Sequence, residues 1–97
     1  MNRYRNFFLN KKILIYGLGK SGKSTFKYLN SKNHIFLYDD DQLKRNNSLF
    51  KKKFLSHHKI LKTNFDIIIL SPGIDIDKCK ISKYLNKNKK KIYTDLD

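Results

Sequence analysis

Apolar residues along this chain fall into two kinds of segment. Lys12 to Tyr16 and Phe65 to Leu70 are short, β-branched apolar runs that end at glycine-bearing turns, the pattern of strands buried on both faces of a parallel sheet. Ile35 to Tyr38 and Lys91 to Tyr93 predict shorter strands. Between the first two strands, Ser21 to Ser31 has helical spacing, with Gly22, Phe26 and Leu29 able to share one face against the sheet. That is a βαβ unit, whose crossover is right-handed. Asp41 to Lys53 is a polar, helix-capable segment, and Lys59 to Leu61 predicts a third, weak strand. After Pro72-Gly73, Asp77 to Asn88 reads as a lysine-rich helix with Ile81, Tyr84 and Leu85 as its apolar positions and Asp77 as N-cap. The sum is an α/β, three-layer domain with a mostly parallel sheet of about five strands.

Length adds that residues 1–97 form one domain, since a second would not bury an adequate core. Hydrophobic residues make up 39%, enough for a small core in a polar chain of mean hydropathy -0.65. The single Cys79 excludes an intrachain disulfide and a multi-cysteine zinc site, and fits a reducing, cytoplasmic compartment. The longest clean apolar run, Ile67 to Leu70, is far short of the ~20 residues of a bilayer span. Phe7-Phe8-Leu9 is likewise shorter than the ~7 to 15 residues of a signal-peptide core, so neither export nor a membrane partner is expected.

A formal net charge of +14 ordinarily points to nucleic acid or an anionic surface. Here the cations are 19 Lys against 3 Arg, spread along the chain beside 10 Asn and 11 Ile, which reads as drift toward A/T-rich codons. Scattered lysines are by default a solvated surface, so nucleic acid is not the expected partner. Lys87 to Lys91 reads the same way, and His57-His58 as surface residues with no nucleophile beside them.

The chemistry concentrates in Gly17-Leu18-Gly19-Lys20-Ser21-Gly22-Lys23-Ser24, directly after the first strand. Two motifs share these residues. Gly17, Gly19 and Gly22 make G-x-G-x-x-G, in which the glycines permit the tight turn, the approach of backbone to phosphate and helix packing, with the anion at the helix N-terminus. Gly17, Gly22, Lys23 and Ser24 make the Walker pattern, in which Lys23 would reach the outer phosphates and Ser24 would bind magnesium. A Walker ATPase also needs an acid at a strand end, yet Ile67 to Leu70 runs into Ser71-Pro72-Gly73 with no carboxylate before Asp75. A Rossmann site expects an acid about 20 residues on, and Asp39 follows Phe36-Leu37-Tyr38. The Rossmann-like reading is favoured. A glycine turn without ligand is the bland alternative.

Asp39, Asp40 and Asp41 are consecutive and alternate faces if extended, so they do not converge on one metal ion; one or two can accept hydrogen bonds from a ribose or base. Ser71-Pro72-Gly73 is by default an ordinary turn, but ligands of open α/β sheets bind outside the carboxyl ends of the strands, where it meets the glycine loop. No acid/base pair or metal cluster emerges, so catalysis by this chain alone lacks support.

Together, Lys12 to Ser24, Tyr38-Asp39-Asp40 and Asp66 to Ile74, with Ser71-Pro72-Gly73-Ile74 at its end, resemble the N-terminal domain of the Mur ligase family, and within it of the D-glutamate-adding member. Ile92 to Asp97 is similar to the segment where that domain hands over to the next. The resemblance implies a five-stranded Rossmann-like domain holding the UDP part of UDP-N-acetylmuramoyl-L-alanine, within a cytoplasmic ATP-dependent ligase of peptidoglycan synthesis. By carry-over, the loop Gly17 to Gly22, with the amides around Leu18, Gly19, Lys20 and Ser21, would face the diphosphate. Asp39 and Asp40 would lie near uracil, and Ser71, Pro72 and Gly73 would wall the pocket. Two residues depart from the family pattern: Lys23 stands at a usually apolar position, and Asp40 where a hydroxyl residue is common. The resemblance also implies that residues 1–97 are the N-terminal fragment of a three-domain ligase. ATP and magnesium would then belong to a missing central domain, with no cofactor and no catalytic residue in this one. A small P-loop nucleotide hydrolase, a dinucleotide-binding Rossmann domain and a basic nucleic-acid-binding module are the alternatives.

Overall fold

Four strands pair in one parallel sheet of order β2-β1-β3-β4. They are β1 (Lys12–Tyr16), β2 (His34–Tyr38), β3 (Ile67–Leu70) and β4 (Ile92–Tyr93). The computed structural model describes residues 9–17, 20–41 and 51–94, with the backbone alone at residues 20–23. Among the described residues the sheet therefore has four strands, not five.

The two apolar runs sit side by side at its centre, with Ile13, Leu14, Ile15 and Tyr16 opposite Ile67, Ile68, Ile69 and Leu70. All eight are buried, as expected where both faces of a parallel sheet are covered. Period-two alternation divides them. Ile13, Ile15, Ile67 and Ile69 pack with Ile35 and Leu37 against Phe26 and Leu29 of helix α1 (Lys20–Leu29). Leu14, Tyr16, Ile68 and Leu70 face the opposite layer, where Ile60 of α2 (His57–Leu61) meets Ile81 and Leu85, the latter on α3 (Ser82–Lys87). Each such side chain contributes about 1.5–3 kcal/mol relative to exposure. The expected three layers are thus present.

Some sequence expectations need correction. Lys59 to Leu61 is not a strand but the end of α2, because the Ser56 side chain accepts from the Lys59 amide and caps a single turn held down by Ile60. The helix expected over Asp77 to Asn88 is confined to Ser82–Lys87, and Asp77 does not cap it. Instead the Asp75 carboxylate accepts from the Asp77 amide at 2.9 Å and its carbonyl from Lys78 N at 3.1 Å, which keeps the chain in turns. Of the helix-capable segment Asp41 to Lys53, residues 42–50 lie outside the described residues, and Lys51–Lys53 form one 3₁₀ turn. Lys91 belongs to a second such turn, Lys89–Lys91, rather than to β4.

Candidate functional site

Strand order sets where a crevice opens. From β1 the chain crosses by α1 to one side, while β3 is added on the other side of β1 with α2 and α3 on the opposite face. Loops leaving the carboxyl ends of β1 and β3 therefore diverge, and this topological reversal is where open α/β sheets bind ligands.

Gly17 sits at that point. Its φ is +96°, a conformation open to glycine but strained for other residues. A Cβ built on Gly17 would come within 2.6 Å of Ser71 Cβ and 2.8 Å of Ile74 Cδ1, so the missing side chain is what lets the two loops touch. The Gly17 amide donates to the Tyr38 carbonyl at 2.8 Å, and the Ser71 amide donates to the Tyr16 carbonyl at 2.9 Å. Carboxyl ends of β1, β2 and β3 are thereby tied to one another. Because its N–H is already engaged, Gly17 serves the loop by shape and not as a donor.

Leu18 and Gly19 lie outside the described residues, while Lys20, Ser21 and Gly22 form the first turn of α1. N–H groups of a first helical turn have no partner within the helix, and the macrodipole adds positive potential there. Three residues, 17–19, separate β1 from α1. That is the short connection of G-x-G-x-x-G, with Gly22 already helical, and not a longer loop wrapped around a triphosphate ahead of Lys23. Ser71 is half-buried, with Pro72 and Gly73 exposed beyond it, and the Ile74 amide closes the turn onto the Ser71 carbonyl at 3.1 Å.

The two aspartates expected near a base both lie at the end of β2, and both point into the protein's own network. Asp39 is 8% exposed, and its Oδ1 accepts from the Asp41 amide at 2.8 Å. Asp40 Oδ2 accepts from the Tyr16 hydroxyl at 2.6 Å, and its Oδ1 is a buried oxygen with no hydrogen-bond partner among the described residues. Burial, reinforced by the Asp40 hydrogen bond, pushes the Tyr16 phenol above its ordinary range. Its ring packs edge-on against Tyr38 at 5.1 Å. Sequence reasoning missed Tyr16. The signal available was a polar aromatic residue ending an otherwise aliphatic strand and placed in register with Tyr38.

Among the described residues, no group of three His, Cys, Asp or Glu could hold a metal ion. No helix among them is long and apolar enough to cross a membrane. His57 and His58 lie together on α2, their rings 5.5 Å apart.

Comparison with known proteins bears on this arrangement. Residues 11–92 match the family model described as Mur ligase MurD-like, N-terminal domain. The chain is 39% identical over 77 residues to the UDP-N-acetylmuramoylalanine--D-glutamate ligase of Rickettsia bellii, covering 74% of this chain and 17% of that protein. It is 32% identical over 90 residues to the enzyme of the same name from Clostridioides difficile, covering 81% of this chain and 20% of that one. The chain thus spans about a fifth or less of the length of these relatives. No solved structure matches it.

Proposed function

We propose, because this chain belongs to the MurD-like N-terminal domain family of the Mur ligases, that it holds the UDP part of a UDP-N-acetylmuramoyl-L-alanine substrate. The observation that carries this reading is the contact of Gly17 with Ser71 at the reversal point, which brings the glycine loop and Ser71-Pro72-Gly73 to one crevice. Within it, the first turn of α1, from Lys20 to Gly22, supplies backbone donors to the diphosphate, joined by Leu18 and Gly19. Ser71, Pro72 and Gly73 form the opposite wall.

Asp39 shapes the β2 exit beside the base, and Asp40 is held by Tyr16 at the back of it. A carboxylate that already accepts from a phenol differs from a hydroxyl residue, which can donate to a base as well as accept from it. Recognition of uracil in this chain accordingly leans on backbone and shape more than on Asp40.

The reaction belongs to the whole ligase: activation of the substrate carboxylate by ATP as an acyl phosphate, then attack by the D-glutamate amine, in peptidoglycan synthesis. ATP and magnesium fall to a central domain of that ligase, and this chain contributes substrate holding and no catalytic group. A cytoplasmic location goes with that role.

A thermal-shift titration with UDP, ATP plus magnesium, and NAD tests the reading. UDP and UDP-muramoyl ligands should stabilise by RT ln(1 + [L]/Kd), about 2.7 kcal/mol at a hundredfold excess over Kd. A shift with ATP and magnesium alone would overturn it in favour of a P-loop hydrolase, and one with NAD alone in favour of a dinucleotide site.

A further inference from the structure

Lysines scattered in sequence converge in space at the end of the sheet opposite the crevice. Register places Lys12 beside His34. Asp66 adjoins Lys12 on the other side, its amide donating to the Lys12 carbonyl at 2.8 Å and its Oδ2 accepting from the Lys12 amide at 2.9 Å. With Ile68 opposite Ile92, the Lys89–Lys91 turn enters the sheet at this same end, where Lys91 Nζ reaches Asn64 Oδ1 at 2.8 Å. Lys11 and Lys32 join from the neighbouring turn: the His34 amide donates to the Lys11 carbonyl at 2.9 Å and the Asn10 amide to the Lys32 carbonyl at 2.8 Å.

Charge along the sheet axis is therefore uneven. Asp39, Asp40, Asp41, Asp75 and Asp77 all follow the carboxyl ends of β2 and β3, whereas Asp66 alone among the described carboxylates stands with the lysines. Lysines also follow the carboxyl ends of β2 and β3, at Lys51 to Lys53, Lys78 and Lys80, but there five aspartates offset them, whereas at the amino-terminal end Asp66 stands alone against Lys11, Lys12, Lys32 and Lys89 to Lys91.

We propose that this amino-terminal end of the sheet is a docking face for the phosphate backbone of a single-stranded nucleic acid, bound without regard to sequence. The cations are Lys without Arg, and Tyr28 near the end of α1 is the one exposed Tyr or Phe among the described residues, a single ring that cannot stack on or read successive bases. Spacing fits a backbone. From β2 to β4 the row spans three strand intervals of ~4.8 Å, roughly 14 Å, along which Lys11, Lys12, Lys32 and Lys90 can together neutralise about four phosphates of a flexible single strand. An anionic bilayer fits less well, because firm interfacial binding adds a continuous apolar anchor to the charge, and the large hydrophobic residues exposed among the described ones, Leu9, Tyr28 and Leu61, stand on three separate segments. The face is remote from the crevice, so this inference stands apart from the reading above.

The test is binding of a fluorescent oligothymidylate of about 20 nucleotides to the full chain by anisotropy, across salt. Four phosphates predict a log–log slope of about -3 and a loss of about 50-fold between 50 and 200 mM salt. The triple variant Lys12→Gln, Lys32→Gln, Lys90→Gln should bind more than tenfold more weakly, with a slope shallower by about 2. The control triple Lys78→Gln, Lys80→Gln, Lys83→Gln removes the same charge from exposed positions after β3 and should stay within about twofold. Matching far-ultraviolet circular dichroism spectra would establish that both variants fold. Equal losses in the two triples would mean net charge alone and overturn the proposal. So would the absence of salt-dependent binding by the unmodified chain, or tighter binding to phosphatidylserine vesicles than to the oligonucleotide.

Discussion

The Tyr16 hydroxyl donates to Asp40 Oδ2 at 2.6 Å, joining the last residue of β1 to the second residue beyond β2 beneath the candidate crevice. Removing the hydroxyl leaves a part-buried carboxylate without this donor, which costs about 1 kcal/mol or somewhat more. Tyr16→Phe should therefore lower the midpoint of thermal unfolding. Adding Asp40→Thr, which takes away the orphaned charge, should recover part of that loss, and additive effects in a double-mutant cycle would show that the pair is not coupled.

Alkaline pH offers an independent reading of the same contact. Burial first, then the Asp40 hydrogen bond, raises the Tyr16 pKa, and burial raises that of Tyr84. The folded chain thus keeps protons that the unfolded chain releases near pH ~10. Stability from this source is fully present below pH ~10 and falls above it, by up to about 1.4 kcal/mol per pH unit for Tyr16. Denaturant titrations from pH 8 to 11 should show a shallower alkaline decline in Tyr16→Phe than in the unmodified chain. Loss of lysine charge is common to both proteins and cancels.

Gly17→Ala should damage both stability and ligand binding. The positive φ alone costs about 1–3 kcal/mol in a non-glycine residue, and the new methyl group collides with Ser71 Cβ. Adding Ser71→Gly removes one of the two collisions, so the double variant should regain part of the stability while the backbone strain stays. Urea denaturation of the single and double variants measures this directly.

Lys23→Ala separates the two motifs that share the glycine loop. Lys23 lies within α1, three residues of connection after β1, and the proposed substrate site gives it no role. The UDP-induced thermal shift should change by less than the equivalent of a threefold change in affinity. Loss of an ATP-induced shift in this variant would instead revive the hydrolase reading.

Much of this was legible in the residues because burial on two faces leaves a strong signature. Ile13 to Tyr16 and Ile67 to Leu70 announce central strands, and the turns that end them announce the crevice. Short elements were not legible. Helix α2 has one buried residue, Ile60, so no periodicity can mark it, and its start is set by the Ser56 cap. Asp77 looks like a cap from sequence, but an aspartate two residues earlier captures its amide and holds the turn. Tyr16 and Asp40 are separated by 24 residues, and only the parallel register brings them together. The lysine face stayed hidden for the same reason, since Lys12, Lys32 and Lys90 sit at the starts of separate strands or the turns before them.

Central placement of β1 also has a consequence for how the chain assembles. Residues 12–38 can close into β1, α1 and β2 through local contacts, but the wall carrying Ser71 arrives only when β3 inserts along the other edge of β1, 54 residues away from it. Pairings of that separation pay more loop-closure entropy and form late. A nascent chain that has just released Tyr38 from the ribosome would already own the glycine turn while lacking any crevice for it to line, so the crevice is acquired in one late step and not by degrees.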